Sequence, residues 1–205
     1  YSYNWVVSGI RTHVVGQYLT DKTADAFIDW LPQAQEPYFA YIAFNAAHLP
    51  LAGNNIPSGH HGFGNVPASW SNTRFRAALE ALDYQIGRIM NAVSPDTTII
   101  LLSDNGTSDA TFNINASEKR YPVNHPLHNP GDETTGFNMQ PYNPNYAKGT
   151  VYDPGILVPC IIYGNNVTSP GRDYNGLVDI VDICPTILRL LNISGSGQYS
   201  LTTVM

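Results

Sequence analysis

Two seven-residue runs, Tyr38–Phe44 and Thr97–Ser103, are apolar or β-branched almost throughout. A strand with one face in water alternates polar and apolar residues, whereas a continuous run suits a strand covered on both faces of a parallel sheet. Each run follows a segment of helical spacing. In Thr20–Leu31, Ala24, Phe27, Ile28 and Leu31 share one face, Thr20 or Asp21 stands where a cap is needed, and Pro32 ends the pattern. In Thr73–Val93 the corresponding face is Phe75, Leu79, Leu82, Ile86, Ile89 and Val93, with Ser94-Pro-Asp96 as the stop. A third strand is read over Ile156–Tyr163, where Pro159 argues for an edge or a break. Leu177–Asp182 then leads into a last helix over Cys184–Leu191. This order predicts an α/β fold with a mostly parallel sheet and helices on both faces, and ligands gathering beyond the carboxyl ends of the strands.

Composition narrows the function classes. Ten Lys and Arg against 16 Asp and Glu give 10 − 16 = −6, and charged residues are 13% of the 205, about half of the usual ~25%. The 19 Asn and 13 Tyr must therefore carry much of the polar surface. Three lysines and no basic run exclude a phosphate-neutralising nucleic-acid surface. No apolar stretch reaches the ~18 residues that cross a bilayer. The opening Tyr1-Ser-Tyr-Asn-Trp5 has neither initiator Met nor a basic and apolar signal pattern. Cys160 and Cys184 form no metal knuckle or disulfide framework, and their Val, Ile and Pro neighbours predict buried small hydrophobes.

Three polar clusters follow or precede the expected strands. Ser103-Asp104-Asn105-Gly106 sets a carboxylate and a carboxamide side by side, hard oxygen donors suited to Ca²⁺ or Mg²⁺. The same tetrapeptide is also an ordinary strand-to-loop turn, and two oxygens leave most of a shell of ~6–8 ligands to be supplied elsewhere. His48, directly after the first strand, is read either as a structural residue or as a donor to an anionic substrate, since histidine changes charge near neutral pH. Lys148, in Lys148-Gly-Thr-Val-Tyr152, is either a solvated loop residue or a point charge for a sulfate or phosphate oxygen. His60, His61, His125 and His128 lack a spaced Cys, Asp or Glu partner and are read as loop residues that line or cover the site.

In this order, the segments resemble the sulfatases of the alkaline phosphatase superfamily. The matching stretches are Tyr18-Leu-Thr-Asp21, Pro37–Tyr41 with His48-Leu-Pro-Leu51, and Leu82-Asp-Tyr-Gln-Ile-Gly-Arg88 with Thr97–Gly106. They continue with Lys148–Tyr152, Gly155–Pro159 and Val181-Asp-Ile-Cys-Pro-Thr186. The resemblance covers most of the chain outside the loops at about 52–70 and 107–145. It implies sulfate-ester hydrolysis in which Asp104 and Asn105 are two ligands of a single Ca²⁺. His48 and Lys148 would hold the ester and stabilise its leaving oxygen, and a hydrated formylglycine would attack sulfur. The Asp-Asn pair also differs from two-zinc phosphatases, which put His after the Asp. A phosphodiesterase or phosphonate hydrolase of the same superfamily is the alternative enzyme.

The departures shape the expectation too. No C-x-P-S-R motif and no Asp-Asp pair occur in the 205 residues, and Asp153-Pro-Gly155 stands where the family has Glu-Gly-Gly. Residues 1–205 are therefore expected to be a partial catalytic domain, central to C-terminal, that is inactive alone. Truncation, a separate N-terminal chain that associates with this one, or a non-catalytic structural or self-assembling unit would each account for it. Family habit and few lysines point to an exported protein, secreted or periplasmic; the sequons at Asn115, Asn166 and Asn192 arise readily by chance in an Asn-rich chain.

Overall fold

The computed structural model describes residues 2–48, 60, 72–106, 148–151 and 153–193. They fall into two compact units. The first holds residues up to Gln33, Ala40–Val93 and Leu102–Pro159; the second holds Ala34–Phe39, Ser94–Leu101 and the chain from Cys160.

The first unit opens with a hairpin that the sequence reading did not anticipate. Strands β1 (Ser2–Val7) and β2 (Ile10–Val15) pair antiparallel, Tyr3 opposite Val14 and Trp5 opposite Thr12. Ser8 and Gly9 join them, both at positive φ (50° and 80°), as a two-residue turn matched to the twist of the strands requires. The pair is exposed along most of its length, and Lys22 on the next helix places its ammonium 5.7 Å from the centre of the Trp5 ring.

Helix α1 (Leu19–Trp30) begins and ends within a residue of expectation and tightens into a 3₁₀ turn at Leu31–Gln33. Its cap is a correction: Tyr18 is the N-cap, with no side-chain capping bond. Thr20 is buried and Asp21 points into the protein, so neither serves the helix end. Helix α2 (Asn72–Ala92) is also where periodicity puts it, but rotated. Its buried positions are Ala77, Ala78, Ala81, Gln85 and Ile89, while Leu79 is exposed. Small side chains let α1 come close at Ala24, and the polar Gln85 is turned inward because α1 offers it a partner.

Tyr38–Phe44 forms no strand among the described residues, which corrects the expected first strand. Its residues alternate between half-buried and exposed.

Strands β3 (Ile99–Leu102) and β4 (Cys160–Tyr163) form a two-stranded sheet, which belongs to the second unit except for Leu102. Gly164 follows β4 at φ 142°, and a Cβ there would lie 2.7 Å from the Thr97 carbonyl oxygen. Pro159 does break the expected third strand: a helical turn, α3 (Asp153–Ile156), precedes it in the first unit. The last helix, α4 (Ile183–Leu190), is prepared by a 3₁₀ turn at Ile180–Asp182. Asp179 accepts from the Val181 N–H, and the Asp182 carboxylate accepts from the Asp179 N–H. At its other end, Ile193 N–H bonds to Leu188 O and Asn192 N–H to Arg189 O, with Asn192 left-handed at φ 54°. This is a Schellman closure with Asn in the glycine position. Cys160 and Cys184 are both exposed, not buried as their neighbours suggested.

Candidate active site

Asp104 and Asn105 lie immediately past β3, at the end of an apolar strand where the backbone turns. The turn is held by its own polar groups. Asp104 Oδ1 accepts from the Asn105 N–H at 2.8 Å, and the Ser103 hydroxyl donates to the Asn105 carbonyl at 3.1 Å. Asp104 is exposed and Asn105 half-buried. The Gly106 N–H donates to the Gly155 carbonyl at 2.8 Å, which ties the Asp-Asn turn to the segment following Lys148. Lys148 and Gly149 form a turn, with Gly149 at φ 89°, and the exposed Lys148 ammonium makes no ion pair among the described residues. His48 closes another turn, its N–H donating to Asn45 O at 2.8 Å, and its side chain is exposed.

All four residues belong to the first unit. The structure thus brings the Asp104-Asn105 turn and the segment after Lys148 together through one backbone bond, and puts His48 in the same unit on a separate turn. His61, His125 and His128 lie outside the described residues.

A carboxylate with one oxygen left after the local bond, beside a carboxamide oxygen, matches Ca²⁺ in kind. Among the described residues no three His, Cys, Asp or Glu side chains cluster. Neither cysteine stands in the sequence pattern that yields formylglycine.

A second polar assembly was missed in the sequence. Asp21 on α1 accepts from Gln85 Nε2 on α2 through Oδ1 and pairs through Oδ2 with His60 Nε2, both at 2.7 Å. Arg88 Nη1 donates to Gln85 Oε1 at 2.7 Å and to Asp25 Oδ1 at 2.9 Å, and Tyr18 meets the His60 ring edge-on at 5.3 Å. The signal was present: Asp21 and Asp25 stand four residues apart on one face of α1, and Gln17 precedes the helix and bonds to Asp25. His60 thus has an acidic partner, Asp21, which the sequence reading did not give it.

A family model described as Sulfatase matches residues 1–193. The chain belongs to the sulfatase family. It is 24% identical to a sulfatase of Formosa agariphila over 91% of this chain and 31% of that one. It is also 26% identical to the uncharacterized sulfatase YdeN of Escherichia coli, over 86% of this chain and 28% of that one. A third relative, an uncharacterized sulfatase of Schizosaccharomyces pombe, is 23% identical, with 44% of its length covered. The chain therefore spans between 28% and 44% of the curated sulfatases it matches. Among solved structures, Ps i-CgsB superposes with a TM-score of 0.64 at 21% identity, covering 91% of this chain and 38% of that one. The same protein in complex with k-i-k-neocarrahexaose gives 0.64 at 20% identity, with 94% and 39% covered. These likenesses carry the fold and leave the residue roles to the sulfatase motifs themselves.

Proposed function

We propose that this chain supplies the cation-holding and anion-holding part of a sulfuric ester hydrolase. Asp104 and Asn105 hold one Ca²⁺ through their side-chain oxygens, together with ligands from elsewhere. When bound, the cation supplies positive charge against a sulfate oxygen. Lys148 places a compact ammonium on the sulfate, and His48 donates a proton toward the leaving ester oxygen. The supporting observation is the pairing of these residue types, in family order, within one unit, with Gly106 bonded to Gly155 between two of the clusters. No step is assigned to Cys160 or Cys184, whose surroundings do not fit a nucleophile precursor.

The substrate is a sulfate ester met outside the cytoplasm. Among the described residues no helix is long and apolar enough to cross a membrane, and the exposed sequon residues Asn166 and Asn192 are compatible with an exported protein. The test is an activity panel on the complete protein with sulfated oligosaccharide, aryl sulfate, steroid sulfate, and phosphate diester and phosphonate controls. Sulfate-ester turnover that disappears on chelation and in Asp104→Ala supports the reading. Preferential phosphate or phosphonate cleavage, or turnover that survives Asp104→Ala, contradicts it.

A further inference from the structure

Within the second unit, a cavity of about 320 Å³ lies between the turn after β4 and the end of α4, lined by Asn166, Arg189, Leu190 and Asn192. That volume is at the lower end of ligand pockets, ~300–1,000 Å³. Both walls are held by the protein's own bonds. On one side the Val167 N–H donates to the Gly164 carbonyl at 3.0 Å, and Asn166 Nδ2 donates to the Thr98 hydroxyl at 3.2 Å. On the other, the closure of α4 sets the Asn192 N–H on the Arg189 carbonyl at 3.0 Å. A cavity whose backbone is fixed in advance leaves less ordering cost to binding.

Its chemistry is selective. Arg189 is one of only ten lysines and arginines in a chain of net charge −6. A guanidinium carries five N–H donors in a planar fork that matches the oxygens of a sulfate group. The carboxamides of Asn166 and Asn192 each combine donors with an acceptor, the combination that sugar hydroxyls require. Asn166 commits one N–H to Thr98, and Leu190 adds an apolar wall for the C–H face of a ring. None of the four lining residues belongs to the unit that holds His48, Asp104, Asn105 and Lys148.

We propose that this cavity is a second binding site, separate from the site of hydrolysis, for a sulfated sugar unit of a polysaccharide. The proposal rests on the sulfatase reading and narrows its substrate to a polymer. One chain held at two points gains avidity, which a lone aryl or steroid sulfate, occupying one point, does not. An acidic surface repels a polyanion, so retention of one requires a local cation such as Arg189.

Affinity electrophoresis of the complete protein through gels holding dextran sulfate, unsulfated dextran or no polymer tests this. Dextran sulfate should retard the protein, and Arg189→Gln should weaken that apparent affinity by roughly tenfold or more, in the parent and in a Lys148→Ala background alike. Asn166→Ala, outside α4, should weaken it several-fold, which keeps the test decisive if Arg189→Gln lowers the melting temperature. Turnover of p-nitrophenyl sulfate by Arg189→Gln should equal the parent's. Unchanged retardation in both variants, equal retention by unsulfated dextran, or competition by inorganic sulfate as strong as by the polymer at equal sulfate concentration overturns the proposal. So does a glycan on Asn166 or Asn192 of the native protein, since it would fill the cavity. Failure of the sulfatase reading looks different: no sulfate ester is turned over, whatever Arg189 does to retardation.

Discussion

At the residue scale, polar groups carry the account, and they divide by what they already touch. Asp104 spends one oxygen on the Asn105 N–H and keeps the other, whereas Asp21 uses both oxygens on Gln85 and His60. The first is thereby available to a cation and the second is structural. Lys148→Ala should lower kcat/KM of the complete sulfatase by roughly 10²–10³, the loss typical of one charge-stabilising donor, with thermal stability unchanged. A variant with full turnover would remove Lys148 from the site. Gly164→Ala should destabilise by about 1–3 kcal/mol, since a Cβ at φ 142° would press on Thr97. Denaturant unfolding reads that directly. Asp104, Asn105, His48 and Lys148 were all legible as candidates because their residue types stand in a recognisable order. Asp21–His60 was not, because the two are 39 residues apart and nothing local links them.

At the scale of elements, periodicity located α1, α2 and α4 within a residue or two, yet it misjudged which face α2 buries. Apolar spacing marked Phe75, Leu79, Leu82, Ile86, Ile89 and Val93; of these Ile89 is buried and Leu79 exposed, while Ala77, Ala78, Ala81 and Gln85 are the other buried positions. A wholly buried amide bonded to a carboxylate and an arginine outweighs one leucine's burial, since an unmet buried polar group costs about 1–3 kcal/mol. Gln85→Ala should therefore lower stability by about 2–3 kcal/mol. A double-mutant cycle with Asp21→Asn should show coupling, and strictly additive effects would mean that the bond contributes nothing. The end of α4 gives a second check. Asn192→Gly should retain stability and Asn192→Val should lose about 1–2 kcal/mol, because only the former accepts the left-handed backbone without crowding. The hairpin went unread because Ser8-Gly9 is a modest turn signal between strands that remain largely exposed. The segment Tyr38–Phe44 was read as a strand from apolarity alone, which shows the need for cover but does not supply a pairing partner.

For the whole molecule, family and α/β character were legible in the apolar runs and in the order of the motifs. The sulfatase reading rests on His48, Asp104, Asn105 and Lys148 surrounding one sulfate. A crystal structure of the complete protein with Ca²⁺ and a sulfate ester measures this most directly. The account predicts Asp104 and Asn105 oxygens about 2.3–2.6 Å from the cation, with Lys148 and His48 within hydrogen-bond reach of the ester. A cation held by other residues, or a sulfate bound away from Lys148 and His48, would contradict it.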